Sequence, residues 1–395
     1  YIMLNEVVFI GASSWEADSG ASSALSVIST VYNDTSNQNI STICTIIKSL
    51  FYNKTAHTLG GAIYVSNIDH VTINGSAFVK NRATSGGAIA VKISSMLCIV
   101  SSNFTHNSAS GMGGSIYFCV GSKITTLNTY FIENMAEIHG GAVHICNVSN
   151  IKIEGVMFLR NKAKTLCGGA LFMKETLYVL VNSSHLDSNF AKKHGGAVCT
   201  HSVRHCIIVK SYFDDNLSAY GGGIYCKNLG VMQNLYTHFN RNHATKMGQA
   251  IRLLHTKLFF NLNSMFEGNH DDTIQNGCGI ICIEEITILK NINCYFKNNI
   301  DRGLDISYSN ICIIYNSSFK NGTASFGAAF HVDDCQNLYI FNSYIIDNSA
   351  SSDGGGGYIK AVEKSVIQNS TFIGNFGSDG GAVCFKKSIA VAIRT

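Results

Sequence analysis

One step recurs along this chain at a nearly fixed interval: a Gly-Gly-Ala-aliphatic segment whose aliphatic residue falls at Ile63, Ile89, Ile116, Val143, Leu171, Val198, Ile224 and Ile251. It continues, degraded, at Ile280, Ile306, Phe330, Tyr358 and Val383, which makes 13 copies spaced 24 to 29 residues apart. A second motif, Phe-x-x-Asn, interleaves with it, as at Phe78/Asn81, Phe104/Asn107, Phe131/Asn134, Phe158/Asn161, Phe213/Asn216, Phe239/Asn242, Phe266/Asn269, Phe296/Asn299 and Phe372/Asn375. Leu50/Asn53, Leu186/Asn189 and Ile345/Asn348 read as variants, while Phe319 is followed by Asn321, one residue early. A unit of about 27 residues cannot bury its apolar face alone, but stacked on its neighbours it forms a continuous core.

Within each unit the periodicity is that of strands. Apolar residues stand seven and five positions before the Phe, as in Val71/Ile73, Leu97/Ile99 and Ile151/Ile153. Ser or Thr stands two before it in most copies, with Val156 and Cys294 among the exceptions. No helical period survives a whole unit. Proline is absent from all 395 residues, where average usage of about 5% predicts about 20. Proline cannot donate to a β-ladder, so a chain that excludes it reads as strand paired on both sides. The expectation is an all-β solenoid, a parallel β-helix of about 13 turns. Glycine supplies left-handed corners, and the recurring Asn is expected to tolerate that conformation and to hydrogen-bond up the stack as a ladder.

Composition narrows the function. Hydrophobic residues make up 46% and charged residues 14%, so the chain is not disordered. A net charge of +4 without a Lys/Arg run gives no basic stripe, and no nucleic-acid partner is expected. No apolar stretch reaches the length of a membrane span. Residues 1–39 keep no clear repeat and hold the only tryptophan, Trp15. They read as a degenerate first turn or cap, and residues 40–395 as the repeats.

The alternation of GGA(I/V/L) with FxxN, as in Gly60-Gly61-Ala62-Ile63, Phe78-Val79-Lys80-Asn81 and Gly86-Gly87-Ala88-Ile89, resembles the repeats of the chlamydial polymorphic outer membrane proteins. It also resembles related β-helix repeats of secreted bacterial and protist proteins. The resemblance covers about residues 40 to 385 and implies a right-handed β-helix that is the surface-exposed passenger of an autotransporter and acts in adhesion. Two features depart from that pattern: no series of alternating strands for a C-terminal barrel follows the repeats, and no signal sequence precedes them. Since the last turn breaks off at Thr395, a cap or more repeats are expected beyond it.

Some parallel β-helices act on polysaccharides, which requires several acidic groups converging on one face. The acidic pairs Asp214-Asp215, Asp271-Asp272 and Asp333-Asp334 fall at different repeat positions. Asp301, Arg302, Asp305, His331, Asp333 and Asp334 form the most site-like group, which reads chiefly as a solvated surface cluster. The expectation is therefore a non-enzymatic extracellular or cell-surface protein, with a polysaccharide lyase or hydrolase as the alternative. Its partners would be other copies end to end, other surface proteins, or a receptor or glycan. His139, Cys167 and His194 share one repeat position but read as coincidence rather than a metal site, and no cofactor is expected.

Cys119 and Cys146 fall at one position of consecutive turns and should stack at about 4.8 Å between Cα atoms, within disulfide reach given an adjusted rotamer. Cys206 and Cys312 read as inward-facing. Glycosylation sequons offer Asn33, Asn39, Asn74, Asn103, Asn147, Asn182, Asn316, Asn321 and Asn369 as candidate sites. Asn53 and Asn216 also head sequons but are read as corner residues turned inward.

Overall fold

The computed structural model describes residues 1–13, 23–28, 41–270 and 278–394. Every regular element among them is a strand, and the strands stack in parallel as a β-solenoid of about 13 turns, about 27 residues per turn. The chain divides into two compact units, Tyr1–Lys192 with Ala197–Val203, and Lys193–Gly196 with Arg204–Thr395.

In the first unit the long strands Ile89–Val100, Ile116–Leu127, Val143–Glu154 and Leu171–Asn182 lie in register, pairing Ile89↔Ile116, Ile116↔Val143 and Val143↔Leu171. Each is followed by a three-residue strand that carries the Phe, replaced after the last of them by Leu186. Phe9, Phe51, Phe78, Phe104, Phe131 and Phe158 form one column, with ring centroids 4.7–4.9 Å apart and planes within 14° of parallel. The early residues join the same columns: Ile2–Asn5 pairs with Ile43–Ile47, Val8–Ser13 with Leu50–Thr55, and Leu25–Ile28 with Ile63–Ser66. Trp15 lies outside the described residues.

The second unit repeats the design. Its long strands pair Ile224↔Ile251, Ile251↔Ile281, Ile281↔Leu304, Leu304↔Phe330, Phe330↔Gly357 and Gly357↔Val383. Phe213, Phe239, Phe266, Phe296 and Phe319 stack at 4.6–4.9 Å.

The chain turns at left-handed residues, four to a turn, illustrated by Gly86 (φ 64°), Ile93 (φ 51°), Ser101 (φ 47°) and His106 (φ 56°). Glycine is required at the first of these corners, where an added Cβ on Gly86 would run into the carbonyl of Ile89. The other three corners carry ordinary residues, each at a cost of about 1–2 kcal/mol that the stacked neighbours offset.

The ladder asparagines are not among the corners. In each turn the residue before the Asn is left-handed, as at Lys80 and His106. The Asn itself points inward, fully buried. Asn134 accepts at Oδ1 from both the backbone N–H and the Nδ2 of Asn107 (3.0 Å each), and donates from Nδ2 to Phe104 O (2.9 Å) and Asn161 Oδ1 (3.0 Å). Every polar atom of the amide is thus paired, which makes a buried polar column tolerable. The Ser/Thr column works alike: Ser76 Oγ accepts from Ser49 N (3.0 Å) and donates to Asn74 O (3.1 Å).

Four register readings are corrected. Phe51, not Leu50, joins the Phe column, because only the residue paired with Phe78 points inward. Asn53 consequently sits at an exposed left-handed corner, and Lys54 takes the ladder position, its N–H donating to Asn81 Oδ1. At the degraded copies the aliphatic position is held by Ile281, Leu304 and Gly357 rather than Ile280, Ile306 and Tyr358. Gly322 stands where an Asn would continue the ladder, so Asn321 turns outward.

Candidate functional site

Among the described residues, the densest group of charges away from water lies in the second unit, where the repeat is least regular. Asp305 is the second residue of the strand Leu304–Tyr315 and pairs in register with His331 of Phe330–Phe341. That position faces away from the Phe column, yet Asp305 is only 2% exposed. Its Oδ2 is taken by Arg302 Nη1 and its Oδ1 lies 3.0 Å from His331 Nδ1. Burial pushes the Asp305 carboxyl up, but the His331 hydrogen bond and the Arg302 guanidinium outweigh it and hold the group below its ordinary value. Arg302 also donates from Nε to Phe326 O at 3.1 Å.

Asp301 is nearly as buried. Its Oδ1 accepts from the Arg302 backbone N–H at 2.8 Å, and the side chain of Gln249 is its neighbouring polar group. Burial raises its pKa to about 6 against the pull of the Arg302 amide and charge. Asp333, two residues beyond His331, binds Lys360 at 2.8 Å, and Asp334 is an exposed left-handed corner. The proposed group therefore splits. Asp301, Arg302, Asp305 and His331 form a closed internal network, and Asp333 and Asp334 stand apart on the surface.

The other acidic pairs do not join it. Asp215 takes a two-pronged hydrogen bond from Arg241 (2.9 and 2.8 Å), Asp214 belongs to the short strand Tyr212–Asp214, and Asp271 and Asp272 lie outside the described residues.

The structure adds a feature that repeat reading missed. The residue after each aliphatic position faces outward but is covered by the corner before Gly-Gly. In the first unit it carries Tyr117, His144 and Phe172, stacked at 5.3 and 5.0 Å, with His139 against Phe172 at 4.3 Å. His144 is 4% exposed and its Nδ1 is unpartnered. Burial, then the neighbouring His139 and Lys174, push its pKa down to about 3. In the second unit His194 packs on Tyr225 at 4.4 Å. Cys167 is buried in the first unit. No group of three His, Cys, Asp or Glu able to hold a metal occurs among the described residues. A second missed column is polar: Asn234 Nδ2 donates to Asn261 Oδ1 (2.8 Å), Asn261 to Asn291 (2.6 Å) and Asn291 to Ser317 Oγ (3.1 Å). Asn recurring five residues before three successive Phe was its signal in the sequence.

Cys119 and Cys146 are joined as a disulfide with Cα atoms 4.8 Å apart. A second disulfide joins Cys278 and Cys282, whose Cα atoms lie 5.6 Å apart. Cys206 and Cys312 are buried, and burial, then the neighbouring Cys226 or Cys335, raises their thiols well above the ordinary value. Of the sequon asparagines, Asn74, Asn103, Asn147, Asn316, Asn321 and Asn369 are exposed and Asn182 is half-buried. Asn33 and Asn39 lie outside the described residues. Asn216 is buried in the ladder, but Asn53 is exposed, contrary to its inward reading.

Residues 210–227, which carry Phe213, Asn216 and Gly221-Gly222-Gly223-Ile224, match the Chlamydia polymorphic membrane protein repeat. The chain's repeats fit that type. No curated protein matches the chain. A solved structure, the Family 28 exopolygalacturonase of Yersinia enterocolitica, matches over 88% of this chain and 72% of its own at 9% identity and a TM-score of 0.37. That likeness is too loose to bear on activity.

Proposed function

We propose that the chain is a non-enzymatic, extracellular or cell-surface β-helical protein that acts as an adhesive passenger or as a unit of a surface fibre. The observation that carries this reading is the fate of the carboxylates in the most site-like cluster. Asp305 spends both oxygens on Arg302 and His331, and Asp333 is paired with Lys360. Acid/base hydrolysis or elimination needs a carboxylate within reach of the substrate, and Asp305 is enclosed. The surface location is supported by the polymorphic membrane protein repeat and by two disulfides, which persist in oxidising surroundings.

Two measurements test it. Beads coated with the chain should adhere to cultured epithelial cells above an albumin control; failure to adhere removes the adhesive role. Incubation with polygalacturonate, xylan and chitin should release no new reducing or unsaturated ends. If ends appear and are lost in Asp305→Asn, the protein is a polysaccharide-acting enzyme.

A further inference from the structure

The outward face of the short strands in the second unit holds a notch. Tyr212–Asp214, His238–Asn240 and Met265–Glu267 pair in register, so Tyr212, His238 and Met265 form one outward column and Asp214, Asn240 and Glu267 another. A third column runs through the left-handed corner as Asp215, Arg241, Gly268 and Asn298. At Gly268 that column has no side chain, leaving a groove of about 530 Å³. The backbone does not demand glycine there. Arg241 and Asn298 hold φ of 49° and 53° at the equivalent positions, and a Cβ on Gly268 would meet only Arg241 Cγ at 3.6 Å and Asn240 Oδ1 at 3.9 Å. The notch comes from a side chain withheld, not from the fold.

Its walls differ in chemistry. On one side the rings of Tyr212, 47% exposed, and His238 lie 5.1 Å apart, continued by Met265. On the other stand the carboxylates of Asp214 and Glu267, with Asn240 between them, its amide donating to Glu267 O at 3.2 Å and accepting from Arg241 Nη1 at 2.7 Å. Aromatic faces pack against the C–H faces of sugar rings, while carboxylates and amides bond to hydroxyls in defined directions. The cations at the groove are neutralised, Arg241 by Asp215 and Lys297 by Glu267 at 3.3 Å, so nothing there draws a polyanion. Adjacent turns lie about 4.8 Å apart, close to the length of one sugar unit, so successive sugars meet successive turns.

We propose that the groove over Gly268 binds a neutral or N-acetylated oligosaccharide laid along the stack, with Tyr212 and His238 as its platform and Asp214 and Glu267 as its hydroxyl partners. This deepens the surface-protein reading by naming the ligand class, and rests on that reading only for where the ligand is met.

The full chain would be applied to a glycan array carrying neutral hexose, N-acetylhexosamine and uronic-acid oligosaccharides, and the best binder titrated by calorimetry. The expected result is retention of neutral or N-acetylated glycans, weakened about tenfold or more in Gly268→Asn and in Tyr212→Ala. Gly268→Asn copies the residue one turn on and should lower the thermal midpoint only slightly, by the small cost of a left-handed Asn, so loss of binding at a temperature well below that midpoint reports the filled notch rather than unfolding. No retained glycan, binding confined to uronic acids, or undiminished binding in both variants would overturn the proposal. Cell adhesion separates it from the wider reading: beads that adhere although no glycan is retained leave adhesion standing and sink the groove, whereas glycan binding without adhesion does the reverse.

Discussion

At the scale of single residues, the difference between the ladder asparagines and the surface asparagines is one of unmet hydrogen bonds. Truncating Asn134 strands Asn107 N–H, one Asn107 Nδ2 hydrogen and Phe104 O in a fully buried site, while Asn161 Oδ1 keeps the Asn134 backbone N–H. At about 1–3 kcal/mol for each buried group left unpaired, Asn134→Ala should cost 3 kcal/mol or more. The exposed Asn103, by contrast, should change stability by less than about 0.5 kcal/mol when made Ala. Urea unfolding of the two variants measures the contrast, and equal losses would remove the ladder as a stabilising element. His144 makes a second residue-scale prediction. Its folded pKa of about 3 lies below the ordinary value of 6.5, so under acid the unfolded chain takes a proton that the folded one refuses. Stability is therefore lost as pH falls from 6.5 toward 3, by up to about 1.4 kcal/mol per pH unit. His144→Phe, which continues the stack between Tyr117 and Phe172, should flatten that slope in thermal melts recorded across the range.

At the scale of the strand, one column must hold the same total volume although its residues change. Most turns place Ile, Val or Leu at the start of the long strand, but Phe330 is followed one turn on by Gly357. An added Cβ on Gly357 would enter the Phe330 ring, so the large and small residues are complementary. Gly357→Val alone should destabilise by about 3 kcal/mol through overpacking. Adding Phe330→Leu should recover most of the loss by restoring the aliphatic pattern of the other turns. A double-mutant cycle by urea unfolding reads the coupling, and simple additivity would mean that the two positions do not share space.

At the scale of the whole molecule, a stack of turns has terminal strands whose outer edges have no partner among the described residues. Ile2, Val8 and Ile10 at one end are 40%, 58% and 67% exposed. Unpaired edges of this kind recruit further strands. The 395-residue chain in isolation should therefore sediment with a mass that rises with concentration. Lys in place of Ile2 and Ile10 should suppress that rise, and an unchanged mass across concentrations in the parent chain would show the edge to be closed.

The sequence by itself determined the architecture: a period near 27, strands without proline, the Phe column, the Asn ladder and the Cys119–Cys146 stack were all legible, because each recurs at one position and stacking turns repetition into contact. Local degeneracy defeated the same reading at Phe51, Ile281 and Leu304, where neighbouring apolar residues offered two registers and only the pairing of whole strands chose between them. The tertiary structure alone decided that Asp305 closes on Arg302 and His331, that the residue before each ladder Asn makes the left-handed corner, and that Gly268 opens a groove beneath Arg241. Those features depend on which outward side chains meet across turns. A motif that fixes the inward face leaves the outward face free to vary, and there what matters is a single residue and its neighbours in space.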